Sequence, residues 1–64
     1  MGEYKLTLLD REGYSLAEDS EIETLAEAKR RAVRGVRDSE YLAAGLLKAE
    51  VRANGVVVFE RWVK

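Results

Sequence analysis

Apolar and polar residues alternate along four short stretches of the chain, and this alternation predicts β-strands. Residues 3–9 show the period of a strand with one buried face. A turn ending in Gly13 follows, and residues 14–19 predict a weaker second strand that returns beside the first. The first third of the chain therefore predicts a β-hairpin.

The pairing of this first hairpin can be predicted from its side chains. If residues 11–13 form a bulged loop, Leu8 faces Leu16 and Lys5 faces Asp19. This register places apolar opposite apolar and base opposite acid, which is the favourable arrangement across strands.

A helix is predicted to follow the hairpin. Thr24 and Glu27 have the spacing of a capping box, in which the Thr24 hydroxyl accepts from the Glu27 amide and the Glu27 side chain reaches back. One stripe at helical spacing is apolar and small, which suits close packing on a sheet; it comprises Leu25, Ala28, Ala32 and Val36. Gly35 near the helix end indicates either close packing or early fraying.

A second hairpin is predicted at the end of the chain, after a short helical turn at residues 40–44. Residues 47–52 alternate between apolar and charged, and residues 56–63 form a fourth strand. Asn54 and Gly55 between them are a strong hairpin signal.

Two registers compete for this second hairpin. A two-residue loop puts Lys48 opposite Arg61, whereas a three-residue loop puts Lys48 opposite Glu60 and turns Phe59 toward the core. We predict the second register, because like charges directly opposite each other are unfavourable. Trp62 then lies on the outer face of the sheet.

These elements predict one α+β domain over residues 1–64, with the order ββαββ. A four-stranded antiparallel sheet with one main helix packed on one face buries the apolar residues of the strands against those of the helix. A chain of this length has a small core, so a homodimer is one way of supplying further burial.

The composition argues against an enzyme. The sequence holds neither His nor Cys, the residues that most often serve as general bases, activated nucleophiles and zinc ligands. Acids between residues 18 and 23 could attract a hard cation, but they lack the spacing of a calcium loop and are better explained by the helix N-terminus that follows. We expect no catalytic residue, metal or cofactor.

Charge is distributed unevenly, although the whole chain carries a net charge of only −1. Residues 1–28 carry −6 and residues 29–64 carry +5, which either marks a binding face or is neutralised within the fold. The helix side opposite the apolar stripe is basic, and we call it the arginine face: Arg30, Arg31, Arg34 and Arg37. This face supports a hypothesis of direct nucleic-acid binding, which the near-zero net charge opposes.

A protein-binding surface is the preferred hypothesis. Trp62 and Lys48 are predicted on the outer face of the sheet, and aromatic and arginine side chains are the usual anchors of interfaces.

The sequence contains no run of about 18 apolar residues, so it predicts no membrane span. Its N-terminus lacks the pattern of a secretory signal, and we therefore expect a cytoplasmic protein.

The segment from residue 22 to residue 32, which reads IETLAEAKRRA, resembles the helix start of small bacterial and phage proteins built as hairpin, helix and hairpin. The layout is also similar to that of small anti-CRISPR proteins that inhibit type I-F surveillance complexes. The resemblance implies a phage-encoded protein that docks on a nucleoprotein complex through charged and aromatic surface residues, with no catalytic residue.

Overall fold

The computed structural model describes residues 2–63, so Met1 and Lys64 of the predicted domain lie outside the described residues. The structure confirms the predicted α+β fold in the order ββαββ, with a second short helix before the last hairpin. Its elements are β1 (Tyr4–Asp10), β2 (Ser15–Ile22), α1 (Leu25–Gly35), α2 (Ser39–Ala43), β3 (Leu46–Ala53) and β4 (Val56–Trp62). The four strands form one antiparallel sheet in the order β2-β1-β3-β4.

The register predicted for the first hairpin is wrong by one residue. Leu8 lies opposite Ala17 and Leu9 lies opposite Ser15, which leaves Leu16 as an extra residue in β2. This bulge turns Ala17 toward the helix side of the sheet. Asp19 shifts to a position opposite Leu6.

The predicted partner of Lys5 changes with the register. The Lys5 ammonium lies 3.3 Å from Glu18 rather than opposite Asp19. An opposite-charge contact therefore forms across the hairpin, but with the neighbouring acid.

α1 begins where the sequence predicts. The Thr24 hydroxyl accepts a hydrogen bond from the Glu27 amide at 3.1 Å, which caps the helix. Only half of the predicted capping box forms, because the Glu27 carboxylate accepts from Arg30 and Arg31 instead of reaching back. The Asp38 side chain caps α2 in the same way, accepting from the Glu40 amide at 2.9 Å.

The core lies between the helices and one face of the sheet. The predicted stripe of α1 packs there, with Ala28 and Ala32 fully buried. The small side chains bring the helix close to the sheet: a Cβ atom on Gly35 would lie 3.0 Å from a methyl of Leu8. Gly35 therefore reflects close packing rather than fraying.

The register predicted for the second hairpin is also wrong. Ala53 pairs with Val56, so the turn has two residues, Asn54 and Gly55, as in the register that we did not choose. A bulge then leaves Val58 as an extra residue, because Arg52 pairs with Val57 and Val51 with Phe59.

Because of this bulge, Phe59 and Trp62 lie on the faces of the sheet predicted for them, although their cross-strand partners differ from the prediction. Phe59 lies opposite the buried Val51 on the helix side, and Trp62 lies opposite Lys48 on the outer side. Lys48 is thus opposite neither Glu60 nor Arg61, and the predicted conflict between Lys48 and Arg61 does not arise.

Candidate functional site

Part of the arginine face is neutralised inside the molecule. Arg30 and Arg31 both donate to the Glu27 carboxylate, and Arg31 also bridges to Asp19 of β2. The hydrogen bond from Arg31 lowers the pKa of Glu27, and the hydrogen bonds to Glu27 and Asp19 raise the pKa of Arg31. The Arg31 guanidinium links α1 to β2, whereas Arg30 is paired within α1, and both groups offer a partner little free charge.

The other two members of the arginine face are exposed. Within residues 2–63, no carboxylate lies at ion-pair distance from Arg34 or Arg37. Within the arginine face, the charge available to a partner therefore lies at and just beyond the C-terminal end of α1.

The outer face of the sheet carries a connected ion-pair network. Lys48 contacts Glu60 across the strands and also lies 3.3 Å from Glu50. Arg52 Nε donates to Glu50 at 2.7 Å, and Glu50 is only 7% exposed to solvent. The hydrogen bond from Arg52 lowers the pKa of Glu50, while the hydrogen bond to Glu60 raises the pKa of Lys48.

Trp62 covers one end of this network. The Lys48 ammonium lies 4.7 Å from the centroid of the Trp62 ring, a distance at which the cation is attracted to the ring face. Lys48 is thereby enclosed between two carboxylates and an indole. Trp62 itself stays 52% exposed, so the ring is held in place and still presents a free surface.

A groove at one end of the molecule joins the two sets of predicted residues. It occupies about 490 Å³ between the C-terminal end of α1, α2 and the end of β4, and we call it the end groove. It is lined by Val36, Arg37, Leu42, Arg61, Trp62 and Val63.

The lining of the end groove combines apolar surface with two guanidinium groups. Leu42 and Trp62 are exposed large apolar residues. Arg37 and Arg61 line the same groove, and neither forms an ion pair with any carboxylate in the described part of the chain. Among residues 2–63, no acidic side chain lines the groove. The site is therefore apolar and electropositive.

The structure thus places Arg37 and Trp62 in the lining of one groove, which the other candidates do not line, although Lys48 contacts the Trp62 ring. Arg30, Arg31 and Arg34 lie outside the lining, and Lys48 is enclosed on the outer face of the sheet. Sequence reasoning missed Leu42 and Arg61. Leu42, an apolar residue in a short predicted helical turn, gave weak evidence in the sequence for a binding site, whereas Arg61 gave none.

A second, smaller cavity of about 240 Å³ lies between α1 and β2. Its floor includes Leu6, Leu8 and Ala17, but its rim holds charges of both signs, among them Arg34 and Asp38. It has neither the uniform sign of the end groove nor an exposed aromatic anchor.

Two further observations concern the part of the chain that the structure describes. No group of three or more carboxylate, His or Cys side chains there could hold a metal ion. None of its helices is long and apolar enough to cross a membrane.

Comparisons of this chain with models of protein families, with curated proteins and with solved structures found no match.

Proposed function

We propose that this chain is a non-enzymatic protein-binding module that docks on its partner through the end groove. One observation carries the proposal: Trp62 is half exposed beside Leu42, although its ring is fixed over Lys48. An aromatic side chain that is held rigidly loses little conformational entropy when a partner covers it. Such side chains at the centre of a pocket are the usual anchors of protein interfaces.

The chemistry of the groove supports binding rather than catalysis. Its polar side chains are the guanidinium groups of Arg37 and Arg61, which stay protonated in proteins and therefore cannot serve as general bases. They can still donate hydrogen bonds to a partner. The groove is equipped for recognition.

The experiment is a capture assay with matched aromatic variants. The immobilised protein is exposed to bacterial lysate, with and without nuclease, and retained proteins are identified. We expect Trp62→Ala to lose a partner that the wild type retains. Tyr14→Ala is the control, because it removes another exposed aromatic residue, at the turn between β1 and β2. Retention of the same proteins by wild type and Trp62→Ala would contradict the proposal.

The more specific form of the proposal is a phage-encoded inhibitor of a host defence complex, acting in the cytoplasm. It is supported by the resemblance of residues 22–32 to the helix start of small bacterial and phage proteins, and by the similarity of the layout to that of small anti-CRISPR proteins. Purified type I-F surveillance complex is the partner to test. We expect the chain to bind this complex after nuclease treatment and the Trp62→Ala variant not to bind it. Absence of binding at micromolar concentration would contradict this more specific proposal.

Direct nucleic-acid binding is the second candidate function, favoured by the exposed and unpaired Arg34 and Arg37. Only these two members of the arginine face are free of internal ion pairs, so few phosphates could be neutralised. An anisotropy titration at two salt concentrations decides between the candidates. Binding that falls steeply with salt and is lost when Arg30, Arg34 and Arg37 are replaced by Ala would favour nucleic acid.

A further inference from the structure

We infer that the partner segment seated in the end groove is an acidic peptide with apolar anchors. This inference deepens the proposed function and rests on it, because it names the chemistry of the segment that binds beside Trp62. The inference depends on the positive charge of the groove, whereas the proposed function depends on the exposure of the Trp62 ring.

The charge of the end groove differs from that of the rest of the molecule. The chain as a whole has a net charge of −1, yet among the described residues the groove is lined by Arg37 and Arg61 and by no carboxylate. Outside the groove, Arg30, Arg31 and Arg52 each have a carboxylate partner, whereas Arg11 and Arg34 have none among residues 2–63. The two arginines of the groove thus retain their capacity to pair with an acid from outside.

The apolar lining specifies the remainder of the segment. Val36, Leu42, Trp62 and Val63 line the groove together with the two arginines, so an aliphatic or aromatic side chain of the partner can be buried against them. Carboxylates on either side of that anchor would reach Arg37 and Arg61. Because arginine donates in a planar fork, each can bind a carboxylate through two parallel hydrogen bonds.

A peptide fits this arrangement better than a nucleic acid does. Nucleic-acid modules carry a strongly basic surface that follows the phosphate backbone. Here two cations flank an apolar groove, and acidic residues dominate the first half of the chain. Two cations beside apolar surface suit a short acidic segment rather than an extended polyanion.

The test is selection of random displayed peptides on the immobilised protein, followed by titration of the selected peptides through the fluorescence of Trp62, the single tryptophan of the chain. We expect the selected peptides to combine Asp or Glu with Leu, Ile or Phe. Replacing each of their acids by Asn or Gln should weaken binding by up to about fivefold, since an exposed ion pair contributes up to about 1 kcal/mol.

Charge reversal in the protein provides the matched controls. The double variant Arg37→Glu and Arg61→Glu should lose the selected peptides. The double variant Arg30→Glu and Arg34→Glu changes the net charge equally but outside the groove lining, and should retain them. Circular dichroism establishes that both variants keep the wild-type fold, and Arg37→Gln with Arg61→Gln replaces the first pair if it does not.

The outcomes separate this inference from the proposed function. Selected peptides that need Trp62 but show no excess of acids, or that bind both charge-reversed variants equally, overturn the inference and leave the proposed function standing. Failure to select any peptide that depends on Trp62 overturns both. Failure of both a neutral peptide and a single-stranded oligothymidylate to displace the selected peptides at equal concentration supports the inference, whereas tighter binding of the oligonucleotide than of any peptide overturns it.

Discussion

Glu50 and Glu60 lie directly opposite each other on β3 and β4, and the ammonium of Lys48 contacts both carboxylates. Two acids in this position would repel each other without a cation. Lys48 and Arg52 supply that charge from the same strand as Glu50. The outer face is therefore stabilised only while its carboxylates are ionised.

The free energy of unfolding should fall in acid. The hydrogen bond from Arg52 lowers the pKa of Glu50 in the folded state, and Arg31 lowers that of Glu27. Such groups stabilise the fold above the pKa of an unfolded Glu, about 4.3, and this contribution is lost as the pH falls through the lower folded-state pKa. Urea denaturation at a series of pH values measures the slope.

Glu50→Gln should make the loss of stability below about pH 5 shallower, because the substituted side chain no longer titrates. Arg52→Met should act in the same direction, since it removes the hydrogen bond that lowers the pKa of Glu50. A Glu50→Gln variant with the wild-type slope would show that the network contributes nothing to the acid sensitivity.

Loss of the cap of α1 should destabilise the whole domain. Thr24→Ala removes the acceptor for the Glu27 amide, which costs about 1 kcal/mol at an N-terminal cap. Thr24→Ser keeps a hydroxyl and should retain most of the stability. Chemical denaturation of the three proteins gives the comparison, and equal midpoints for Thr24→Ala and wild type would contradict the role of the cap.

The helix should tolerate enlargement on only one side. Ala32 is fully buried against the sheet, so Ala32→Leu is expected to cost about 1–3 kcal/mol through overpacking. Ala26 is exposed on the same helix, and Ala26→Leu serves as the control because it adds the same atoms in solvent. Thermal unfolding should separate the two variants, and equal melting temperatures would mean that the helix can shift away from the sheet.

The two edges of the sheet should differ in self-association. β2 carries Glu18, Asp19 and Glu21 at its edge, with Glu21 in a left-handed backbone conformation (φ 61°) that interrupts the strand. β4 instead exposes Val57 and Val58, and edge strands of this composition pair with other chains.

We expect weak dimers through β4 at tens of micromolar, detected by sedimentation. Val58→Lys should remove them, whereas Ser20→Lys at the β2 edge should not. A wild-type monomer at this concentration, or dimers that persist in Val58→Lys, would contradict the prediction.

Local chemistry made much of this fold predictable. The cap at Thr24, the alanine stripe of α1 and the position of the second hairpin at Asn54-Gly55 depend on neighbours in sequence, and each lies where the sequence predicts it, although the turn has two residues instead of the predicted three. Phe59 and Trp62 lie on the predicted faces of β4, although the register from which those faces were predicted is wrong. The registers were not predictable, because each hairpin contains a bulge whose extra residue, Leu16 or Val58, has no distinguishing side chain.

The candidate site was predictable only in its parts. Arg37 and Trp62 were singled out for different surfaces, and their shared groove depends on where α1 ends relative to the last residues of β4. The neutralisation of Arg31 depends on Asp19, whose position follows from the bulge at Leu16. An error of one residue in the register therefore hid which arginines are free.

The bulge at Val58 also bears on how the length of this chain can vary. Val58 is the one residue of β4 without a partner in the ladder with β3, while residues on both sides of it are paired. A chain lacking Val58 would keep the pairs Val51–Phe59 and Arg52–Val57 next to each other in a regular ladder. The run of three valines at residues 56–58 is thus where a single-residue deletion is best tolerated, and where we expect homologous chains to differ by one residue.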